Sequence, residues 1–258
     1  MTGRVTLVGG GPGREDLLTL AAVRALAEAD VVLYDRLAPH ERLAELAPHA
    51  ELVDVGKRPG HHAVPQAEIE ALLVEHALAG RHAVRLKGGD PYVLGRGSEE
   101  VLACHHAGVH VEVIPGVTSA VAVPGAAGIP LTHRGVATAF TVATAHDQIE
   151  SLSGGRDHTV VLLMGIATLA NSAITLARGE RGGDCPVAVV EDGFGPRQRV
   201  TVGTLATIAH QAAARGIRSP AVVVVGDVVR LSPYAPAALA TLDLSSYDPL
   251  TPERSPRA

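Results

Sequence analysis

The amino-terminal stretch constrains the fold more than any other part of the chain, because strand, loop, helix and strand follow one another there. Val5–Val8 is a short apolar run, and the next five residues are four glycines and Pro12. Apolar residues then recur at helical spacing over Glu15–Ala29, and Val31–Tyr34 is a second apolar run. A strand–helix–strand unit of this kind joins parallel strands, so the sequence predicts an α/β fold with a parallel amino-terminal sheet.

The same alternation continues to residue 114, where Pro115-Gly116 resembles a hinge. We therefore predict an amino-terminal α/β domain at 1–114, a carboxy-terminal α/β domain at 115–231 and a Pro-rich, disordered tail at 232–258. Further strands are predicted at Leu52–Val55, Ala83–Leu86, Val109–Ile114, Ala139–Ala143, Thr159–Met164, Val187–Val190 and Val222–Val225, and further helices at Gln66–Ala79, Glu99–Ala107, Thr168–Leu176 and Leu205–Ala214.

Composition narrows the class of protein. The 258 residues are 47% hydrophobic but only 2% aromatic, so the core must be aliphatic. A net charge of −5 predicts no general affinity for nucleic acid. Cys104 and Cys185 make neither a disulfide framework nor a metal set, which favours a reduced, cytoplasmic compartment and no metal. No apolar run reaches the ~18 residues of a membrane span, and no signal peptide is evident.

The stretch from Val84 to Glu100 contains residues that a packed element does not favour. Two glycines, Gly88 and Gly89, let a ligand approach the backbone, and Pro91 holds Asp90 in an extended conformation. A second charge framed by glycines follows at Arg96. The alternative to a ligand site is an ordinary strand–turn–helix corner with solvated charges.

Ligands of parallel α/β sheets bind at the carboxyl ends of the strands. The residues that follow predicted strands at that edge include Pro12, Asp35, Lys57, Asp90 and Arg96. A cleft between two domains there would hold two ligands. Simpler roles remain open at this point: Asp35 as a turn cap, Lys57 with Arg58 as a solvated pair, and Glu99 as an acid at a helix start.

The first glycine loop also admits a nucleotide-binding interpretation. A dinucleotide fingerprint needs a third glycine where Arg14 stands, and Pro12 removes an N–H that should face a pyrophosphate. Asp35 does match the ribose-binding acid of that motif. A dehydrogenase therefore remains an alternative, weakened by the loop.

Several motifs together resemble one family. They are Val8-Gly9-Gly10-Gly11-Pro12-Gly13, Tyr34-Asp35-Arg36-Leu37, Val55-Gly56-Lys57-Arg58, Arg85–Glu100, Ile114-Pro115-Gly116-Val117-Thr118-Ser119 and Gly128-Ile129-Pro130-Leu131-Thr132-His133-Arg134. Their combination, spread over about residues 4–230, resembles the uroporphyrinogen-III C-methyltransferases, a branch of the tetrapyrrole methylase superfamily. The chain departs from the family pattern at Arg14, Ser98 and Ala145, among others.

The resemblance implies two α/β domains with a cleft between them, usually in a homodimer. It implies S-adenosyl-L-methionine as methyl donor, S-adenosyl-L-homocysteine as product, and methylation of uroporphyrinogen III at C2 and C7. The product would be precorrin-2, which leads to sirohaem or cobalamin. A methylase of a later precorrin and a non-catalytic tetrapyrrole carrier are the remaining alternatives.

The resemblance also implies residue roles. Asp35 would accept a proton and Lys57 donate one, while Arg96 and Glu99 would handle substrate; the sequence leaves open whether Asp35 or Glu99 is the general base. The implied donor contacts are Pro12, Gly88, Gly89, Asp90, Val93, Thr118, Ser119, Met164 and Gly193. The substrate has eight carboxylates, which cationic residues would bind despite the net negative charge: Arg96, Arg58, His62, His133 and Arg134.

Overall fold

The computed structural model describes residues 2–56, 64–146 and 149–240. The described chain forms two compact units, each with its own sheet. The first contains the residues up to Val123 together with Phe194–Pro196, and the second contains Pro124–Gly193 and the residues from Arg197 onward.

The first unit is built on a parallel sheet of five strands, as the strand–helix–strand pattern predicts. The strand order is β3-β2-β4-β1-β5, and every neighbouring pair is parallel. Its strands are β1 (Arg4–Gly9), β2 (Val31–Tyr34), β3 (Glu51–Asp54), β4 (His82–Lys87) and β5 (His110–Ile114). The central strands β1 and β4 are buried on both faces, β1 with a mostly apolar sequence and β4 with His82, Arg85 and Lys87 among its buried residues.

Helices cover both faces of this sheet. One face packs against α1 (Leu20–Ala27) and α2 (Leu43–Leu46), and the other against α3 (Gln66–Leu78) and α4 (Gly97–His106). The predicted helix over Glu15–Ala29 is broken: Glu15–Leu17 is a 3₁₀ turn, and α1 begins after Thr19, whose Oγ1 accepts a 3.1 Å hydrogen bond from the Ala22 amide. Helix α5 (Ser119–Ala126) follows β5.

The second unit has a mixed sheet in the order β6-β7-β10-β8-β9. Its strands are β6 (Ala139–Thr144), β7 (His158–Leu163), β8 (Pro186–Glu191), β9 (Arg199–Thr204) and β10 (Ala221–Val225). Helices α6 (Leu169–Arg178) and α7 (Ile208–Ala214) bury their apolar residues on the sheet, in an aliphatic core that includes Val160, Leu162 and Val189. The sequence did not predict β9, in which Arg199 is exposed and Val200, Val202 and Thr204 are half-buried.

A 3₁₀ helix at Asp227–Leu231 follows β10. The next nine residues, assigned to the tail in the sequence analysis, make defined contacts. The Ser232 hydroxyl is buried and donates to the Ala127 carbonyl at 2.8 Å, and Arg230 Nη1 donates to the Leu239 carbonyl at 2.8 Å. The remainder of the predicted tail, 241–258, lies outside the described residues.

Candidate active site

The carboxyl ends of the five parallel strands meet at one edge of the first unit. Asp35 directly follows β2, Gly88 follows β4, and Pro115 follows β5. Several predicted site residues therefore lie along one edge of the sheet. Three others, Lys57, Arg58 and His62, follow β3 in sequence but lie outside the described residues.

The loops after β1, β4 and β5 are in backbone contact. The Gly11 amide donates to the Gly89 carbonyl at 3.1 Å, and the Gly89 amide donates to the Gly11 carbonyl at 2.7 Å. A Cβ at Gly116 would lie 2.3 Å from the Gly89 carbonyl oxygen, and one at Gly9 would lie 2.3 Å from the Gly116 nitrogen. Only glycine fits at these positions, and the contact brings Pro12 close to the Gly88–Asp90 segment.

Asp90 holds two of these loops together. Its Oδ1 accepts a hydrogen bond from the Tyr92 amide at 2.8 Å, and its Oδ2 accepts one from the Gly116 amide at 3.1 Å. A Cβ at Gly89 would lie 3.7 Å from the Ser119 nitrogen and 3.9 Å from the Thr118 Cα. The structure therefore brings together Gly89, Asp90, Thr118 and Ser119, four of the predicted donor contacts. Val93 is half-buried in the same loop, and its amide donates to the Asp90 carbonyl at 3.3 Å.

Arg96 and Glu99 form an exposed, two-bond ion pair. Arg96 Nε and Nη2 donate to the two Glu99 carboxylate oxygens at 2.9 and 2.6 Å. This bonding lowers the pKa of the Glu99 carboxyl below its usual value and raises the pKa of Arg96. A carboxylate held in this way is a weaker base than a free one, although both side chains remain exposed to solvent.

Asp35 binds a buried arginine that the sequence analysis did not single out. Arg85 Nη2 donates to Asp35 Oδ1 at 2.6 Å; the arginine side chain is 2% exposed and the aspartate 32%. Arg85 Nε also donates to Glu100 Oε1 at 3.1 Å, and Lys87 Nζ donates to the same oxygen at 2.8 Å. The overlooked signal was a charged pair, Arg85 and Lys87, inside a predicted central strand of a parallel sheet.

The second unit places its predicted donor contacts at one edge of its own sheet. Strands β7 and β8 both run antiparallel to β10, so their carboxyl ends share an edge. Met164 follows β7 and is 50% exposed, and Gly193 lies just beyond β8. His133 and Arg134 lie in a turn closed by hydrogen bonds between His133 and Ala137, and the His133 ring nitrogen Nδ1 contacts the Arg134 carbonyl at 2.8 Å.

Backbone strain coincides with the predicted site residues. The non-glycine residues with positive φ in the described chain are Leu94, Arg96, Met164, Asp192 and Phe194. Two of them are predicted site residues, Leu94 adjoins Val93, and Asp192 and Phe194 flank Gly193. Left-handed conformations of such residues cost energy and cluster at functional sites, so this pattern supports the predicted positions independently of sequence motifs.

The described residues, 2–56, 64–146 and 149–240, contain neither a metal-binding cluster nor a membrane-spanning helix. No group of three or more His, Cys, Asp or Glu side chains there is arranged to hold a metal ion. No helix there has the length and apolar character needed to cross a membrane.

Comparison with known proteins identifies the class. The model of the tetrapyrrole (corrin/porphyrin) methylases matches residues 4–209. The chain therefore belongs to the tetrapyrrole methylases, which decides against the dinucleotide dehydrogenase.

Similarity to individual proteins narrows the class to a particular group of methyltransferases. The chain is 48% identical over 238 residues to the uroporphyrinogen-III C-methyltransferase of Methanocaldococcus jannaschii, covering 90% of this chain and 98% of the relative. It is 46% identical over 237 residues to the S-adenosyl-L-methionine-dependent uroporphyrinogen III methyltransferase of Methanosarcina barkeri, covering 89% and 93%. The crystal structure of the Thermus thermophilus uroporphyrin-III C-methyltransferase with S-adenosylhomocysteine superposes with a TM-score of 0.75 at 43% identity, covering 89% and 100%.

Proposed function

We propose that this chain methylates uroporphyrinogen III at C2 and C7, taking both methyl groups from S-adenosyl-L-methionine and yielding precorrin-2. The observation that carries the proposal is the 48% identity, over nearly the full length of both chains, with an enzyme of that name. The glycine-lined sheet edge beside Asp35 supports it, because it supplies both a surface for a donor and a carboxylate for proton transfer.

The donor would bind against the loops after β1, β4 and β5. Backbone contact among these loops leaves no room for side chains at Gly9 and Gly116, and the Gly89 Cα faces Thr118 and Ser119. Such a surface fits a ligand held by backbone groups, in agreement with the proposed contacts at Pro12, Gly88, Gly89, Asp90, Val93, Thr118 and Ser119. Met164 and Gly193 are proposed as further donor contacts, as the family resemblance implies.

When bound, the sulfonium supplies an electrophilic methyl group. The carbon–sulfur bond breaks as a bond to an electron-rich ring carbon forms, leaving S-adenosylhomocysteine, and a ring proton must then depart. In-line positioning of the two reactants supplies much of the rate. We assign the departing proton to Asp35 rather than to Glu99, because Arg96 occupies both carboxylate oxygens of Glu99, whereas Arg85 occupies only Oδ1 of Asp35.

The acidic substrate requires local cations. We propose that Arg96 binds substrate carboxylates, with Glu99 orienting its guanidinium through their two hydrogen bonds. Arg58, His62, His133 and Arg134 are proposed as further carboxylate ligands, and Lys57 as proton donor. We also propose that the protein works as a cytoplasmic homodimer without nucleic acid.

Methyl transfer in anaerobic solution tests the function. Purified protein with isotope-labelled S-adenosylmethionine and uroporphyrinogen III should give a doubly labelled precorrin-2. Calorimetry with S-adenosylhomocysteine, with NADH as the negative control, checks donor binding separately. Transfer to precorrin-2 but not to uroporphyrinogen III would indicate a later methylase, and substrate binding without transfer would indicate a carrier.

A further inference from the structure

A cluster of buried charges lies behind Asp35, among residues to which the proposed mechanism gives no role. The side chains of Arg85, Lys87 and Glu100 are 2%, 4% and 0% exposed. Taking three charged groups out of water is expensive, and apolar side chains of similar size are often at least as stable. The cluster therefore invites an explanation beyond stability, and Arg85 joins it to the partly exposed Asp35.

The geometry gives Glu100 control of Arg85. Glu100 Oε1 accepts from Arg85 Nε at 3.1 Å, Lys87 Nζ at 2.8 Å and Gln66 Nε2 at 3.2 Å. Arg85 is further held by the Leu86 carbonyl at 3.1 Å, so its guanidinium has one orientation. In that orientation Nη2 binds Asp35 Oδ1, and among the described residues Asp35 Oδ2 has no recorded partner.

The charges in the cluster also balance. Arg85 and Lys87 are two formal cations, Glu100 is an anion, and Asp35 is the second anion. Burial and the neighbouring Arg85 lower the pKa of Lys87, and Glu100 acts in the opposite direction. The helices α3 and α4, which pack on this face of the sheet, add Glu70, Cys104 and the uncharged Gln66. Burial raises the pKa of the Cys104 thiol to about 11, so the thiol is neutral.

We propose that Glu100 is a positioning residue for methyl transfer: it orients Arg85 toward one oxygen of Asp35 and offsets one of the two cations behind that carboxylate. The other Asp35 oxygen is then left to accept the proton. Glu100 touches no substrate and acts only through Arg85 and Lys87. The inference rests on the proposed function, in which Asp35 is the proton acceptor.

Glu100→Gln keeps the shape of the side chain and removes its charge. With one more uncompensated cation nearby, Asp35 becomes a weaker base, so the acid limb of the kcat–pH profile should move down by about one pH unit. We expect kcat to fall about tenfold, a part of the ~10²–10⁴-fold that a general base contributes. The dissociation constant for S-adenosylhomocysteine should stay within about twofold of the wild-type value, because the substitution affects proton transfer and not donor binding.

Charge compensation separates this role from a structural one. Adding Lys87→Met to Glu100→Gln restores the original charge balance, so the acid limb should return toward the wild-type position. Lys87→Met alone should move the limb upward, and it replaces Glu100→Gln as the test if that variant does not fold. An acid limb that stays in place in each folded variant, with only stability reduced, would overturn the proposal.

A matched control lies in the second unit, where Asp227 Oδ1 accepts from Arg156 Nε at 3.3 Å and Arg230 Nε at 2.9 Å. Asp227→Asn should lower stability and leave the acid limb unmoved. A wild-type protein that transfers no methyl group to uroporphyrinogen III would refute the proposed function itself, whereas active wild-type protein with unshifted variants would refute only the role of Glu100.

Discussion

Nη2 of Arg85 lies 2.6 Å from Oδ1 of Asp35, joining a fully buried cation to a partly exposed carboxylate. This bond fixes the carboxylate at the carboxyl end of β2, beside the glycine loops of the proposed donor site. It also separates the two oxygens of Asp35 by role, since Arg85 occupies only one of them. The catalytic prediction follows directly from this arrangement.

Asp35→Asn should reduce turnover by about 10²–10⁴-fold, because an amide cannot accept the departing proton. Binding of S-adenosylhomocysteine, measured by calorimetry, should be nearly unchanged. Glu75→Gln is the control. Glu75 is exposed near the carboxyl end of α3, which leads into the amino end of β4, and its substitution should leave turnover unaffected. Near wild-type turnover of the asparagine variant would remove Asp35 from the mechanism.

Arg96 combines a proposed substrate contact with a left-handed backbone, at φ 59°. Arg96→Ala and Arg96→Gly should both lower kcat/KM by about ten- to a hundredfold, the loss of one or two charged hydrogen bonds. They should affect S-adenosylhomocysteine binding much less. Because glycine adopts this φ without strain, the free energy of unfolding measured in urea should be about 1 kcal/mol higher for the glycine variant than for the alanine variant. Full turnover by both variants would contradict the assignment to substrate.

Gly116→Ala should destabilise the protein and weaken donor binding. The new Cβ would lie 2.3 Å from the Gly89 carbonyl oxygen, so the backbone must shift, at a cost of about 1–3 kcal/mol. Gly125→Ala is the control, because a Cβ there meets nothing within 4 Å, and we expect it to be neutral or stabilising by about 0.5 kcal/mol. Equal urea midpoints for the two variants would show that the loop contact is loose.

His82 makes stability depend on pH. Burial lowers the pKa of its imidazole below the ordinary value, and Nε2 contacts Thr6 Oγ1 at 2.9 Å. Between the lowered folded pKa and the unfolded value near ~6.5, the unfolded state binds more protons, so the free energy of unfolding falls as pH drops through that window. His82→Gln should flatten this slope, whereas His110→Gln, at an exposed position on β5, should not.

The two thiols should be unreactive in the folded protein. Cys104 and Cys185 are fully buried, and burial raises the pKa of each to about 11. We expect a chromogenic disulfide reagent at mildly alkaline pH to modify neither residue until denaturant is added, after which both should react. Rapid modification of either thiol in native protein would indicate local opening of the helix or strand that carries it.

Local sequence predicted most strands because apolar runs between turn residues have few alternatives; Val31–Tyr34 matches β2 at both ends. Two of the missed elements had contrary local signals. Helix α5 contains Pro124 and Gly125, which disfavour a helix interior, and strand β9 has one side that is only half-buried. Packing against neighbouring elements determines the secondary structure of such segments, and the local sequence does not contain that information.

The sequence alone determined the α/β class, the parallel first sheet and the glycine-framed loop around Asp90, because each depends on residues close together in the chain. Only the tertiary structure decided that Arg85 and Lys87 share one buried oxygen of Glu100, and that Arg85 reaches across to Asp35. The Arg85–Asp35 contact joins residues 50 positions apart, and the contacts of Glu100 join β4 to the helix that follows it. Which charged side chains meet depends on the order of the strands in the sheet and on the packing of α4 against the sheet.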